Sequence, residues 1–262
     1  MVSNIESYPF SERPSEEIGH GFLSIAKGLG PNWVTKEFNP TKPDGTAKDK
    51  GSYERNQNPQ HVKELQETQR ILSQNIIYGD KLIPTYWVLG SDENGNEKYF
   101  TVQKKFIGET LDNIIHGGDQ SLRYNERFTN FFNENKELRE QVLELMWGTK
   151  RALVETGVYD DFHVGNIAVV SETQETSKLK VFDIQNMIRV QKILYGEPPA
   201  TTKSKNHILD NVEKHSSRLE KYAKWLGITE EEKLALDKKF GVENGKYTDI
   251  VNELLRMKEQ LS

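Results

Sequence analysis

The first hundred residues alternate short apolar runs with polar or glycine-containing turns. Residues 16–38 carry apolar runs split by glycines, which is typical of strands joined by tight turns. Two more strand-like runs, 83–90 and 98–106, flank a polar turn sequence, SDENGNE. Between these regions, after Pro59, apolar residues recur at helical spacing: Val62, Leu65, Ile71 and Leu72. The pattern predicts a small β-sheet with one helix inserted.

Beyond residue 108 the pattern becomes mostly helical. One face of residues 136–157 collects Leu138, Val142, Leu145, Met146, Ala152 and Leu153. Gly157 is well placed to end that helix. Two β-branched runs, 166–170 and 179–184, are joined by a polar turn and predict a β-hairpin. From about Ser204 onward, glycines interrupt further helical stretches. The predicted fold class is therefore α+β, a β-rich part with one helix followed by a mostly helical part.

Composition narrows the class of protein but not its activity. The 262 residues include 35 basic and 40 acidic side chains, so the net charge is 35 − 40 = −5. That charge argues against a nucleic-acid partner, because phosphate binding favours a basic surface. No apolar run approaches the roughly 18 residues of a membrane span. The chain has no cysteine, which excludes disulfides, thiolate zinc sites and cysteine nucleophiles and is compatible with a reducing compartment.

The most informative stretch lies between the long helix and the hairpin. Asp161 is followed five residues later by Asn166, and Asp183 stands at the end of the second hairpin strand. Phosphoryl transfer from ATP needs a carboxylate to orient the acceptor hydroxyl and oxygen ligands for Mg²⁺. Asn166 and Asp183, on neighbouring arms of a hairpin, would bind one ion from two directions. The alternative is an ordinary hairpin in which these residues only form turns.

This arrangement resembles the protein-kinase-like superfamily, in which a D-x-x-x-x-N catalytic loop precedes a metal-binding Asp by one hairpin. The resemblance implies a kinase that uses ATP and Mg²⁺. It assigns the catalytic base to Asp161 and the metal ligands to Asn166 and Asp183. Spacing favours Asp161 over Asp160, because only Asp161 stands five residues before Asn166.

The same resemblance gives roles to residues in the β-rich part. Lys36, at the end of a strand candidate, is similar to the lysine of the V-A-I-K strand, which binds the α- and β-phosphates. An ordinary strand lysine is the alternative. A carboxylate on the next helix should hold this lysine, and Glu64 and Glu67 are both available there. We prefer Glu67 because Leu65 and Ile71 flank it.

A shortened glycine-rich loop is the next point of resemblance. Gly19 and Gly21 form a G-x-G, and Ser24 replaces the third glycine. Glycine lets the backbone approach phosphate oxygens without obstruction by Cβ. A plain hairpin turn is the alternative reading of these residues.

Residues 101–111 resemble a kinase hinge that runs into the following helix. Backbone groups there would pair with the adenine edge, and Gln103 and Lys105 are the candidate nucleotide contacts. Taken together, the resemblance implies a bilobal fold. The implied division is 1–15 as an extension, 16–105 as the N-lobe and 106–262 as the helical C-lobe.

The sequence also departs from ordinary protein kinases. Tyr159-Asp160-Asp161 replaces H-R-D, so the arginine that binds an activation-loop phosphate is absent. We therefore expect activity without loop phosphorylation. Asp183 is followed by Ile-Gln instead of Phe-Gly, and no A-P-E sequence follows, so the long peptide-docking segment is expected to be missing.

The loop around His163 bears on the acceptor. Residues 161–166 match the D-x-H-x-G-N loop of aminoglycoside- and choline-kinase-like phosphotransferases. His163 either steadies a phosphate oxygen or the catalytic carboxylate, or simply packs within the loop. The match favours a small-molecule hydroxyl as acceptor.

Two other readings stay open. A similarity to compact secreted bacterial effector kinases favours a protein Ser/Thr acceptor equally, so the location is either the cytoplasm or a host cytosol reached by secretion. A different class of function is a pseudokinase that serves as a scaffold. Tyr159 and the glycine-rich loop with only two glycines suggest it. Against a scaffold, each chemical role has a candidate residue: Lys36, Asp161, Asn166 and Asp183.

Overall fold

A computed structural model describes most of the chain. The described residues are 17–20, 24–38, 57–75, 77–91, 97–159, 162–171, 177–182, 188–190, 202–242 and 245–261. They form two compact units. The first unit holds the described residues up to Glu67 together with Ile83–Ile107, and the second holds Thr68–Leu82 and the residues from Gly108 onward.

The first unit is built on a five-stranded antiparallel sheet with the strand order β1-β2-β3-β5-β4. Gly30, with φ of 62°, makes the turn between β2 and β3 in a left-handed conformation that glycine adopts readily. The strands and the helix among the described residues agree with the sequence prediction. The bounds of the strands are β1 Glu17–His20, β2 Ser24–Leu29, β3 Trp33–Phe38, β4 Thr85–Ser91 and β5 Glu97–Lys104, and helix α1, Pro59–Ser73, begins in this unit and continues past Glu67 into the second.

Alternation along the strands gives this sheet a hydrophobic face. Leu29, Val88 and Val102 are buried together, and the partly buried Trp33 and Phe100 pack against them. Leu29, Trp33 and Val88 come from β2, β3 and β4, and Phe100 and Val102 occupy alternate positions on β5. Alternate residues of a strand point to the same face, so these side chains share one face of the sheet. On α1, the Gln66 side-chain amide donates to the carbonyl oxygen of Trp87 at 3.2 Å and ties the helix to β4.

The second unit is mainly helical and contains two small antiparallel sheets, β6-β8-β9 and β7-β10. The predicted hairpin is confirmed as β8 and β9, in which Ile167 pairs with Val181. The bounds of the elements are β6 Gly108–Thr110, α2 Leu111–Gly117, α3 Tyr124–Glu134, α4 Lys136–Thr156, β7 Val158–Tyr159, β8 Ile167–Ser171, β9 Ser177–Val181, β10 Ile188–Arg189, α5 Thr202–Trp225, α6 Glu230–Phe240 and α7 Lys246–Leu261.

Helix α4 is the central element of this unit. The apolar face predicted from the sequence is buried: Leu138, Val142, Leu145, Met146, Ala152 and Leu153. The helix ends at Gly157, which has φ of 66° and donates its N–H to the Leu153 carbonyl. Within α4, a Cβ at Gly148 would lie 2.7 Å from Cγ2 of Ile77, so this glycine permits close packing of the 77–78 turn.

Aromatic rings join α3 to α5. Phe128 stacks on Tyr222 with ring centroids 5.2 Å apart and contacts Phe132 edge-on at 4.9 Å. Trp225 lies 5.3 Å from Phe128. These aromatic residues therefore pack α3 against α5 in the core of the unit. None of the helices that the structure describes combines the length and apolar character needed to cross a membrane.

The α+β fold class is confirmed. One element was not predicted, because the hinge-like stretch was expected to run directly into a helix. The short strand β6 intervenes and pairs Gly108 with Val170 on β8. A Cβ at Gly108 would lie 2.1 Å from the carbonyl oxygen of Val169, so only glycine allows the strands to approach this closely.

Candidate active site

Two backbone pairings involve residues that are close in sequence to the predicted acids, Asp161 and Asp183. Phe182 donates its N–H to the carbonyl oxygen of Asn166 at 2.9 Å. Tyr159 on β7 pairs with Ile188 on β10. Asp161 and Asp183 lie outside the described residues, so their places in the site stay predictions. Among the described residues, Asn166 and Phe182 lie side by side where the β8–β9 ladder ends.

A tight turn precedes Asn166. Residues 164–166 form one turn of 3₁₀ helix, capped by His163, whose Nδ1 accepts the Gly165 N–H at 2.9 Å. Asn166 donates its N–H to the His163 carbonyl at 2.8 Å. Because Nδ1 is an acceptor here, the proton of the neutral ring is on Nε2. His163 thus caps the turn through Nδ1, and a contact of its ring with a phosphate or with the catalytic carboxylate stays a prediction.

Lys36 and its two candidate partners all belong to the first unit. Lys36 is half-buried on β3, opposite Ala26 on β2 and Thr101 on β5. Glu64 and Glu67 are half-buried on α1, and Glu64 accepts a hydrogen bond from the Gln60 side chain at 3.1 Å. The choice between the two carboxylates stays a prediction.

Buried polar groups line the sheet near Lys36. The register places Lys36, Thr101 and Trp87 in one row across three adjacent strands, with Gln103 two positions along β5 from Thr101. Thr101 is 0% exposed, Trp87 2% and Gln103 4%. Gln103 Nε2, Thr101 Oγ1 and Trp87 Nε1 have no hydrogen-bond partner in the part of the chain that the structure describes. An unpaired buried donor is costly, so these groups favour a ligand or water that accepts hydrogen bonds.

The other nucleotide-contact candidate, Lys105, is exposed. Its N–H donates to the Asn32 carbonyl at 2.7 Å, and the Lys104 N–H donates to the Pro84 carbonyl at 3.1 Å. Both backbone donors are therefore used within the first unit. An adenine contact by Lys105 would have to come from its carbonyl oxygen or its side chain.

The glycine-rich stretch is described only in part. Gly19 lies on β1 opposite Ala26 of β2, next to an irregularity in the pairing, and Ser24 begins β2. Gly21 lies outside the described residues. The antiparallel pairing of β1 with β2 agrees with both the glycine-rich loop and the plain hairpin turn.

A metal site at the hairpin, as the sequence predicts, would depend on oxygen donors. Among the described residues there is no group of three or more His, Cys, Asp or Glu side chains that could hold a metal ion. The set predicted from the sequence, the Asn166 amide and the Asp183 carboxylate, has the oxygen donors that Mg²⁺ prefers when phosphates and water supply the other ligands. The Phe182–Asn166 hydrogen bond holds the described ends of the two hairpin arms side by side.

Sequence reasoning missed the residues that contact both sides of the loop. Tyr247 on α7 hydrogen-bonds to Tyr159, and Arg218 on α5 donates to the carbonyl oxygen of Phe162. These contacts join residues 88 and 56 positions apart. No motif marks either residue, and helical spacing places them only as part of amphipathic helices.

Comparison with solved structures finds likenesses of low identity. MAP kinase LmaMPK10 from Leishmania major matches at 16% identity and a TM-score of 0.35, covering 66% of this chain and 46% of that chain. WbdD matches at 14% identity and a TM-score of 0.42, covering 93% of this chain and 51% of that chain. A co-crystal of WbdD with the kinase inhibitor LY294002 matches at 13% identity and a TM-score of 0.40, covering 93% and 45%. The chain spans about half the length of these structures.

No protein-family model matches the chain, and no curated protein matches it. TM-scores below 0.5 at identities of 16% or less do not assign the chain to a family, so its function has to be inferred from its own residues.

Proposed function

We propose that this chain is an ATP- and Mg²⁺-dependent phosphotransferase of the protein-kinase-like type. The hydrogen bond from the Phe182 N–H to the Asn166 carbonyl carries the proposal. It places Asn166 next to the residue that precedes Asp183, as a metal site shared by the two hairpin arms requires. The bond continues the β8–β9 register by one position, so it supports the proposal together with the spacing of Asp161, Asn166 and Asp183 in the sequence.

The proposed reaction moves the γ-phosphoryl group to a hydroxyl. The acceptor oxygen forms a bond to the γ-phosphorus, the bond from that phosphorus to the β,γ-bridging oxygen breaks, and ADP leaves. Asp161 takes the hydroxyl proton as the new bond forms. Lys36, held by Glu67, binds the α- and β-phosphates, while Gln103 and the backbone near Gly19 contact the nucleotide. A bound Mg²⁺ would offset the phosphate charge, with Asn166 and Asp183 as its protein ligands.

The acceptor is a small-molecule hydroxyl or a protein Ser/Thr. The loop from Asp161 to Asn166 supports a small molecule through its similarity to aminoglycoside- and choline-kinase-like enzymes. The absence of A-P-E after Asp183 supports either a small molecule or the compact effector type of protein kinase. Screening metabolites and peptide libraries with ATP separates the two classes.

The proposed base is tested by comparing two adjacent aspartates. Removing a general base typically lowers the rate by about 10²- to 10⁴-fold, so we expect that loss in Asp161→Ala, measured as turnover of radiolabelled ATP with Mg²⁺. Asp160→Ala is the matched control and should keep most of the activity. Equal rates in the unaltered chain and in Asp161→Ala would remove Asp161 from the mechanism.

The proposed metal ligand is tested by binding. Asp183→Asn should reduce the thermal stabilisation given by ATP with Mg²⁺ while leaving the melting temperature of the nucleotide-free protein nearly unchanged. Stabilisation equal to that of the unaltered chain would reject the ligand role of Asp183.

A nucleotide-binding scaffold is the second candidate function. The tyrosine at 159 favours it, because the position begins the H-R-D motif in active protein kinases. If the chain is a scaffold, nucleotide should raise its melting temperature but no acceptor should be phosphorylated. If the chain is an enzyme, both effects should be observed.

A further inference from the structure

Two helices of the second unit contact the ends of the segment that carries the proposed base. Asp160 and Asp161 stand between Tyr159 and Phe162 in the sequence. The Tyr247 hydroxyl on α7 lies 2.9 Å from the Tyr159 hydroxyl. Arg218 on α5 donates from Nη1 to the Phe162 carbonyl at 3.3 Å. Polar contacts thus reach the segment immediately before and immediately after the two aspartates.

The Tyr159 end is buried among aromatic rings. Tyr159 is 0% exposed and Tyr247 8%. His215 on α5 stacks on the Tyr159 ring at 5.5 Å with an interplanar angle of 12°. Burial raises the pKa of the Tyr247 hydroxyl above its ordinary value, so this group stays protonated and able to hydrogen-bond at any physiological pH.

The Phe162 end is held in a similar way. The Phe162 ring is 2% exposed and meets the Tyr222 ring edge-on at 5.9 Å. Tyr222 and Arg218 are one helical turn apart on α5, so a single face of that helix contacts both the ring and the carbonyl of Phe162. Phe162, the residue that follows the two aspartates in the sequence, therefore contacts α5 through both its ring and its carbonyl oxygen.

Core packing alone does not account for the polar contacts. Two phenylalanines at 159 and 247 would fill nearly the same space as two tyrosines without burying hydroxyls. A buried hydroxyl is costly unless it is paired, and a paired one sets the direction of its side chain. The hydroxyl pair thus adds directional restraint at the residue two positions before Asp161.

We propose that Tyr247, through Tyr159, and Arg218, through Phe162, are positioning residues that fix the backbone carrying Asp161. This role rests on the proposed function, because it assumes that Asp161 accepts the proton. It gives the helices after residue 202 a function in the reaction that does not require them to touch the substrate. Small displacements of a catalytic group lower the rate strongly, by up to about 10²-fold for 1 Å.

The central test removes single hydroxyl groups. Tyr247→Phe and Tyr159→Phe should each lower kcat by roughly tenfold and change KM for ATP by less than about twofold, because the loss affects the reacting geometry and not nucleotide binding. The double variant should be no worse than either single variant, since both remove the same bond. Arg218→Met should also lower kcat.

Tyr124→Phe is the matched control. The Tyr124 hydroxyl donates to Asp112 at 2.7 Å, so this variant also loses one partly buried hydrogen bond. Its ring contacts are with His116 and Trp225, not with residues 159–162. We expect a similar small loss of stability and an unchanged kcat. Equal kcat values for Tyr247→Phe and Tyr124→Phe would overturn the positioning role.

Hydrogen exchange gives a readout that does not depend on activity. Peptides covering residues 157–166 should exchange several-fold faster in Tyr247→Phe than in Tyr124→Phe. Unchanged exchange there would overturn the anchoring itself. Absence of ATP turnover in the unaltered chain would instead overturn the proposed function, and turnover with unaffected kcat in Tyr247→Phe would overturn only this inference.

Discussion

The Nδ1 atom of His163 accepts a hydrogen bond from the Gly165 backbone amide at 2.9 Å, and the same ring occupies the space beside the Gly165 Cα. A Cβ at position 165 would lie 2.8 Å from Nδ1 and 3.0 Å from Cε1 of His163. The histidine and the glycine of the D-x-H-x-G-N loop are therefore a matched pair. The ring can cap the turn only if position 165 has no side chain.

Gly165→Ala should destabilise the protein by about 1–3 kcal/mol, the usual cost of forcing an extra carbon into a packed site. We expect the melting temperature to fall by several degrees. Gly117→Ala is the control, because a Cβ there meets nothing within 4 Å. His163→Ala should rescue much of the loss in the double variant, since it removes the ring that clashes. Additive losses in the double variant would contradict this account.

Lys150 lies inside the second unit with its side chain only 8% exposed. Its Nζ is 4.4 Å from the centre of the Trp147 ring, 5.3 Å from that of Tyr247 and 3.8 Å from a Glu220 carboxylate oxygen. Burial lowers the pKa of Lys150, although Glu220 and Asp237 oppose the shift. The folded state thus holds this proton less tightly than the unfolded state does.

The lowered pKa of Lys150 makes the free energy of unfolding depend on pH. Between the lowered pKa of folded Lys150 and the unfolded value of about 10.4, the unfolded chain binds more protons, so this lysine makes stability rise with pH. Lys150→Met removes the group that titrates, so it should flatten that rise. Denaturant unfolding at a series of pH values from 7 to 10 measures the slope. An unchanged slope in Lys150→Met would refute the buried-charge explanation.

Gln103 combines burial with an unpaired amide nitrogen. Gln103→Met keeps the length of the side chain and removes the polar group, so it should raise the stability of the nucleotide-free protein by about 1 kcal/mol. If Gln103 contacts the nucleotide, the same change should reduce stabilisation by ATP with Mg²⁺. Thermal unfolding with and without nucleotide measures both effects, and undiminished stabilisation by nucleotide would exclude Gln103 from the site.

Activity should be independent of loop phosphorylation. Tyr159-Asp160-Asp161 lacks the arginine that would bind a loop phosphate, so phosphorylation has no cation there to order the loop. ATP turnover by a phosphatase-treated preparation should equal that of an untreated one, with intact-mass measurement confirming removal of phosphate. A loss of turnover on treatment would contradict this prediction.

The long, periodic elements were predictable from the sequence, because periodicity needs length to be read. Helix α4 runs for 21 residues with a clear apolar face and ends at Gly157, as expected. The β8–β9 hairpin was marked by β-branched runs on both sides of a polar turn. For the candidate site, that hairpin brings residues 166 and 182 together, whereas Asp161 and Asp183 lie outside the described residues and their roles stay predictions.

Short strands and distant contacts were not predictable in the same way. Strands of two or three residues, such as β6 and β10, are too short to show alternation. The bond between Tyr159 and Tyr247 links residues 88 positions apart, and nothing in their local sequence selects one partner over another. Tertiary packing decides such contacts, and a single sequence does not reveal it.

The separation of those two tyrosines along the chain also has a consequence during translation. At about 5–20 residues per second, a ribosome adds Tyr247 roughly 4–18 seconds after Tyr159. A nascent chain therefore contains residues 159–166 well before it contains the tyrosine that hydrogen-bonds to Tyr159. The proposed phosphotransfer activity of a growing polypeptide should accordingly appear late, after α7 has emerged.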